Sequence, residues 1–196
     1  MKHIFYHLTA VMVVVVWGMT FISTKVLIVH GLSAQEIFLF RFLLAYAAVC
    51  PISFHRFFAR NLKDELYLVG GGVLGGSLFF FLQNIALGLT QASNVSFIIC
   101  MAPLLTAVLT VLSVRTEKVS RGFIYGSIIA LLGVGLLIFN GSFILRISPL
   151  GDLLTLLASL SWAFYSLVIR SLTRKYSTDF ITRKIFFYGI ITILPT

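Results

Sequence analysis

The sequence predicts an all-α, polytopic membrane helix bundle, built as a five-helix inverted repeat with a complete first repeat and the start of a second. Three observations predict it. Only 11% of the chain is charged and 59% is hydrophobic, whereas a soluble domain carries roughly 25% charged residues. With a mean hydropathy of +1.04, the chain belongs in a bilayer. Next, six apolar runs and part of a seventh have the ~20-residue length of a spanning helix, and the alternation of a β-barrel is absent. Finally, the spacing of Trp17, Thr20, Phe21 and Lys25 returns 145 residues later as Trp162, Tyr165, Ser166 and Arg170.

The first span covers residues 8–29. Lys2 precedes it, but the apolar run is too long for a signal peptide and no small-x-small site closes it. It reads as an uncleaved span. At ~100° per residue, Trp17, Thr20, Phe21 and Thr24 share one face, with Lys25 at its edge. Lipid has no use for such a face. Membrane aromatics favour the interface, and Trp17 is mid-span, so it either packs between helices or lines a cavity.

After a tight turn at 30–34, the second span (35–54) carries Arg41 two turns inside. The basic, amphipathic loop 55–65 is expected at the membrane surface. The third span (66–89) is glycine-dense, with Gly71 and Gly75, and Gly72 and Gly76, as small-xxx-small pairs. Such pairs let helix backbones approach closely; the other reading is a helix that slides or bends. Gln83 and Asn84 follow at membrane depth. An unsatisfied amide in hydrocarbon costs several kcal/mol, so they bond neighbouring helices or line a wet cavity.

Residues 90–92 make a tight hairpin into the fourth span (93–114). This span holds Ser93, Asn94, Ser96, Thr106 and Thr110, and Pro103 near its middle predicts a kink. The kink serves packing or solute contact. A basic loop (115–121) leads to the fifth span (122–139) with its glycine faces, then a loop at 140–152. The three-residue glycosylation patterns at Asn94 and Asn140 carry little weight. The sixth span (152–172) and a second basic loop (174–184) precede the start of a seventh helix at 185–194. About ten apolar residues cannot cross ~30 Å of hydrocarbon, so the end reads as an interruption.

Twelve of the 15 Lys and Arg fall on one side of these crossings, Arg146 falls in a loop on the other, and Lys25 and Arg41 are intramembrane. The positive-inside rule makes the rich side, and with it the N-terminus, cytoplasmic. The +9 charge therefore reports topology, and nucleic acid is not an expected partner. If the sixth helix repeats the first, the unit has an odd number of helices, so the second unit enters from the opposite side. Inverted repeats of this kind are associated with alternating access around a site at the repeat interface.

The chain resembles the drug/metabolite transporter superfamily, specifically the EamA-type ten-helix exporters. The residues that carry this are WGMTFISTK in the first span, Phe38, Arg41 and Phe42 in the second, and the run from Ala86 to Leu137, with its polar helix start, Pro103 and Glu117-Lys118-Val119-Ser120. The resemblance implies a first EamA repeat over 8–140 and the start of a second over 152–196, with helices 8 to 10 missing. It implies efflux of amino acids, related metabolites or drugs across a cell inner membrane. The alternative is a non-transporting or partner-dependent fragment, a homo-oligomer if the chain truly ends here.

No nucleophile–base pair, metal cluster or cofactor motif stands out, so an enzyme is not expected, and neither is a cofactor or a bound metal. Cys50 and Cys100 read as small packing residues. No carboxylate lies at membrane depth. Lys25 and Arg41 either snorkel outward, pair with Glu36, or attract a substrate carboxylate, which would favour an anionic or zwitterionic solute. The expected solute-binding set is Trp17, Thr20, Phe21, Lys25, Arg41, Gln83, Asn84, Ser96, Pro103, Trp162, Tyr165 and Ser166. The expected partners are the lipid bilayer and a small solute.

Overall fold

The computed structural model describes residues 2–52, 57–113, 120–139 and 148–194. Among these the chain is helical throughout, with no strand. We label the helices α1 (Lys2–Val29), α2 (Ala34–Val49), α3 (Leu62–Leu89), α4 (Ala92–Ser113), α5 (Arg121–Phe139), α6 (Pro149–Leu172) and α7 (Thr178–Ile193). Within them, Ile4–Val29, α3, α4 and α6 are long and apolar enough to cross a membrane. The architecture is an all-α polytopic bundle. The predicted positions at Glu117 and Lys118, and at Asn140, Ser142 and Arg146, lie outside the described residues.

Local chemistry sets the helix ends. Gly31 turns the chain at φ 95°, a left-handed conformation that a side chain disfavours. Ser33 and Glu36 then form a reciprocal capping box at the start of α2. Asn61 caps α3 by accepting from the Asp64 amide at 2.7 Å. Pro149 opens α6, where a missing N–H costs nothing.

The hub is α3, half of whose most apolar 18-residue stretch is buried, against 11% for that of the first helix. It packs on α1, α2, α6 and α7. One core cluster joins Phe21, Phe79, Leu87, Val95, Ile99 and Ala158. A second joins Phe38, Phe42 and Ile193. A third closes the basic end with Leu68, Leu172, Phe180, Ile181 and Ile185. By contrast, Val11 to Val16 of α1 are all exposed apolar side chains, a surface suited to lipid.

Chain directions follow from the contacts. Gly151 lies beside Thr90, Tyr165 beside Gly75 and Ile169 beside Gly71, so α6 runs antiparallel to α3. Ile185 lies beside Gly71 and Ser77 meets Thr192, so α7 runs parallel to it. The middle of α3, Gly72–Leu78, is π-helical. Here the small-residue pairs do allow close approach: a Cβ on Gly72 would lie 2.5 Å from Tyr188 Cβ and 3.2 Å from the Gly189 backbone nitrogen.

α1 begins at Lys2, ahead of the expected 8, α2 ends at Val49, short of 54, and α6 begins at Pro149, ahead of 152; three further differences carry more. The fourth helix breaks at Cys100 and Met101 into Ala92–Ile99 and Ala102–Ser113. Pro103 has no N–H to give the Ile99 carbonyl and its ring crowds that carbonyl, so the ladder parts just before the proline. The basic loop 55–65 gives its last four residues to the first turn of α3. The seventh helix starts at Thr178, not Ile185. The charges at 183 and 184 read as loop, yet Arg183 and Lys184 are buried within α7, where the rings of Phe57 and Phe58 from the loop before α3, Phe180 of α7 itself and the Glu65 carboxylate of α3 meet them.

Candidate functional site

A cavity of about 500 Å³ opens between α1, α4, α5 and α6. The first helix contributes Val14, Trp17, Gly18 and Phe21, a stripe at helical spacing. From α4 come Ser96, Ile99 and Cys100 before the break, and Ala102, Pro103 and Leu104 after it; Ser127, Ala130 and Leu131 come from α5, and Trp162 from α6. Breaking α4 here puts irregular backbone against a cavity, the setting in which a bilayer tolerates it.

The two tryptophans meet at this cavity. Their rings stack with centroids 6.3 Å apart and planes 29° apart. Trp162 is held by Phe79 at 4.8 Å and Tyr165 at 5.1 Å, and Trp17 by Phe21 at 6.1 Å. Tyr165 is in turn seated on Gly75, where a Cβ would come within 2.4 Å of its ring. The expected residues Trp17, Phe21, Ser96, Pro103 and Trp162 are therefore brought to one cavity.

The other seven expected residues lie apart from that lining. Thr20 donates to the Trp17 carbonyl at 2.6 Å, and Ser166 to the Trp162 carbonyl at 2.9 Å. Lys25 donates to the carbonyl of Leu87 and, at 3.0 Å, to that of Thr90. It therefore closes the C-terminal end of α3, where backbone carbonyls lack helical partners and the dipole favours a cation. Arg41 donates to Thr24 Oγ1 at 3.3 Å and lies 5.2 Å from the Phe80 ring centroid. Neither pairs with Glu36, whose carboxylate is taken by Ser33. Asn84 donates to the Ala34 carbonyl at 3.1 Å, and the oxygens of both Gln83 and Asn84 are buried without a partner among the described residues. Tyr165 buttresses Trp162 from behind.

Sequence reasoning missed Gly18, Cys100 and Ser127 as cavity residues. Cys100 could have been found from Pro103: a proline break exposes the residues three to four positions before it.

A second constellation sits at the basic end. Glu65 forms an ion pair with Lys184, accepts from the Tyr188 hydroxyl, and accepts from the Ala59 amide at 2.6 Å. Lys184 also donates to Tyr188 at 3.3 Å and lies 4.7 Å from the Phe58 ring centroid. One residue earlier, Asp64 accepts from Lys175 at 2.7 Å and from the Tyr176 hydroxyl at 2.9 Å. The hydrogen bond to Asp64 raises the Lys175 ammonium above its ordinary value.

An all-helical bundle with several helices long and apolar enough to cross a membrane, one of them broken beside a cavity, is a multi-pass membrane protein. Residues 4–139 match the model of the EamA-like transporter family, and the chain belongs to that family, within the drug/metabolite transporter superfamily. It is 26% identical to an uncharacterized transporter of Archaeoglobus fulgidus, over 96% of this chain and 65% of that protein. The chain thus spans about 65% of the length of that relative. No solved structure matches it.

Proposed function

We propose that this chain carries the solute-binding cavity of a secondary transporter that exports small organic metabolites, amino acids among them, by alternating access. The observation that supports this is the cavity itself, where a tryptophan from α1 and its counterpart on an antiparallel α6 converge on the break in α4. In the repeat reading, α1 and α6 are equivalent helices of two inverted units, over 8–140 and 152–196, and the cavity lies at their interface. The basic residues set the orientation, with the N-terminus cytoplasmic in a cell inner membrane.

The cavity wall favours a solute with an uncharged aromatic or aliphatic body. Lys25 is committed to the end of α3, so the attraction expected of it for a substrate carboxylate is already spent on backbone carbonyls. Neutral amino acids fit this wall through their side chains, and the Ser96 and Ser127 hydroxyls are polar groups in it that can meet the α-carboxylate and α-ammonium. The test is counterflow in liposomes holding the purified protein, with a panel of neutral, acidic and basic amino acids. Neutral members should exchange, and Trp162→Ala should raise their half-saturation concentration about tenfold, equivalent to ~1.4 kcal/mol of lost aromatic contact. Equal exchange of all members by wild type and variant would sink the assignment.

A further inference from the structure

The seam between α3 and α7 combines four features that simple packing does not require together. At its basic end, Glu65 and Lys184 are paired in a largely buried setting, with Tyr188 closing the triad. Replacing a buried ion pair by apolar side chains is often neutral or stabilising, so such a pair is better explained by the arrangement it selects than by the stability it adds. Above it, Gly72, Gly76 and Gly189 bring the two backbones close together, with the Phe42 ring of α2 packed against Gly76 and Gly189. The same stretch of α3 is π-helical, a form that is rare and marks functional sites. Ser77 and Thr192 bond across its far end at 2.8 Å.

A neighbouring face of this π-helical stretch supports the cavity wall through Tyr165. Gly75 receives the Tyr165 ring, which packs on Trp162. A shift of α3 against α7 therefore moves the support of Trp162.

We propose that Glu65, Lys184 and Tyr188 form a latch that holds α7 against α3 and keeps the basic end of the bundle closed. The glycine seam is the surface along which α7 moves when the latch opens. Release lets the π-helical stretch change register, and Tyr165 carries the change to the cavity. The proposal rests on the transport reading of that cavity and supplies its gate.

The chain carries its own reporter. Cys100 lines the cavity, and Cys50 is the other cysteine. In a Cys50→Ser background in proteoliposomes, the rate of Cys100 alkylation by a small maleimide reads the state of the cavity. Glu65→Gln and Lys184→Met, each breaking the latch, should change that rate by about 2- to 30-fold, the range that coupling between distant sites supports. The Glu65→Lys/Lys184→Glu swap should return it toward the parent value, and it keeps the test valid where a single variant fails to fold. Unchanged rates in folded single variants, or a swap that behaves like them, overturn the latch. Counterflow of the parent protein is measured alongside. Latch-dependent labelling without counterflow would remove the transport reading and leave the latch standing; counterflow with latch-independent labelling would do the reverse.

Discussion

Lys25 shows how much a residue's role depends on what reaches it. In the sequence it is a cation at the edge of an aromatic face, open to snorkelling, pairing or solute contact. In the folded chain it closes α3 through the carbonyls of Leu87 and Thr90. Lys25→Met should therefore lower stability by about 1–3 kcal/mol while leaving the half-saturation concentration for a neutral solute unchanged; thermal unfolding in detergent and counterflow measure the two. The face of Trp17 and Phe21 was legible because helical period alone places both residues on it. The capping role was not, because its acceptors lie 62 and 65 residues away and are backbone atoms, which carry no side-chain signature. Arg41 is similar: its polar partner, Thr24, is an ordinary member of α1 until the two helices pack.

Among the elements, α3 and α4 carry the sharpest predictions. Gly75→Ala would drive a Cβ into the Tyr165 ring and should destabilise by about 1–3 kcal/mol. Gly70 has nothing within 4 Å of the same position, so Gly70→Ala should be neutral or stabilising by up to ~1 kcal/mol. Thermal unfolding of the two variants separates packing glycines from incidental ones. Pro103→Ala restores the missing N–H and lifts a ~3 kcal/mol penalty on a continuous helix. It should raise the melting temperature and, by mending the break beside the cavity, slow counterflow. The proline made a distortion of α4 legible, but its place, at Cys100 and Met101, depends on which carbonyl the ring crowds. The start of α7 was not legible. Charge at 183 and 184 outweighed helical continuity in the sequence, and it takes tertiary partners, Glu65 and the rings of Phe57, Phe58 and Phe180 among them, to make burial of those charges tolerable.

For the whole molecule, apolar run lengths and the one-sided distribution of Lys and Arg made the bundle legible without any tertiary contact. The positive-inside rule yields a direct expectation. A reporter active only in the cytoplasm should work when fused before α1 and fail when inserted between α5 and α6; the reversed pattern would overturn the proposed orientation. Which helix sits at the centre was not legible, since α1 and α3 are both long apolar rods. The glycines decide it: α3 can be approached closely by α6 and α7 at once. The dependence of α1 on α3 also has a consequence for biosynthesis. A ribosome adding about 5–20 residues per second needs roughly 3–13 s to travel from Lys25 to Leu87 and Thr90. During that interval the lysine has no carbonyl acceptors from α3, and the uninterrupted valines from Val13 to Val16 must hold the nascent helix in the bilayer by themselves.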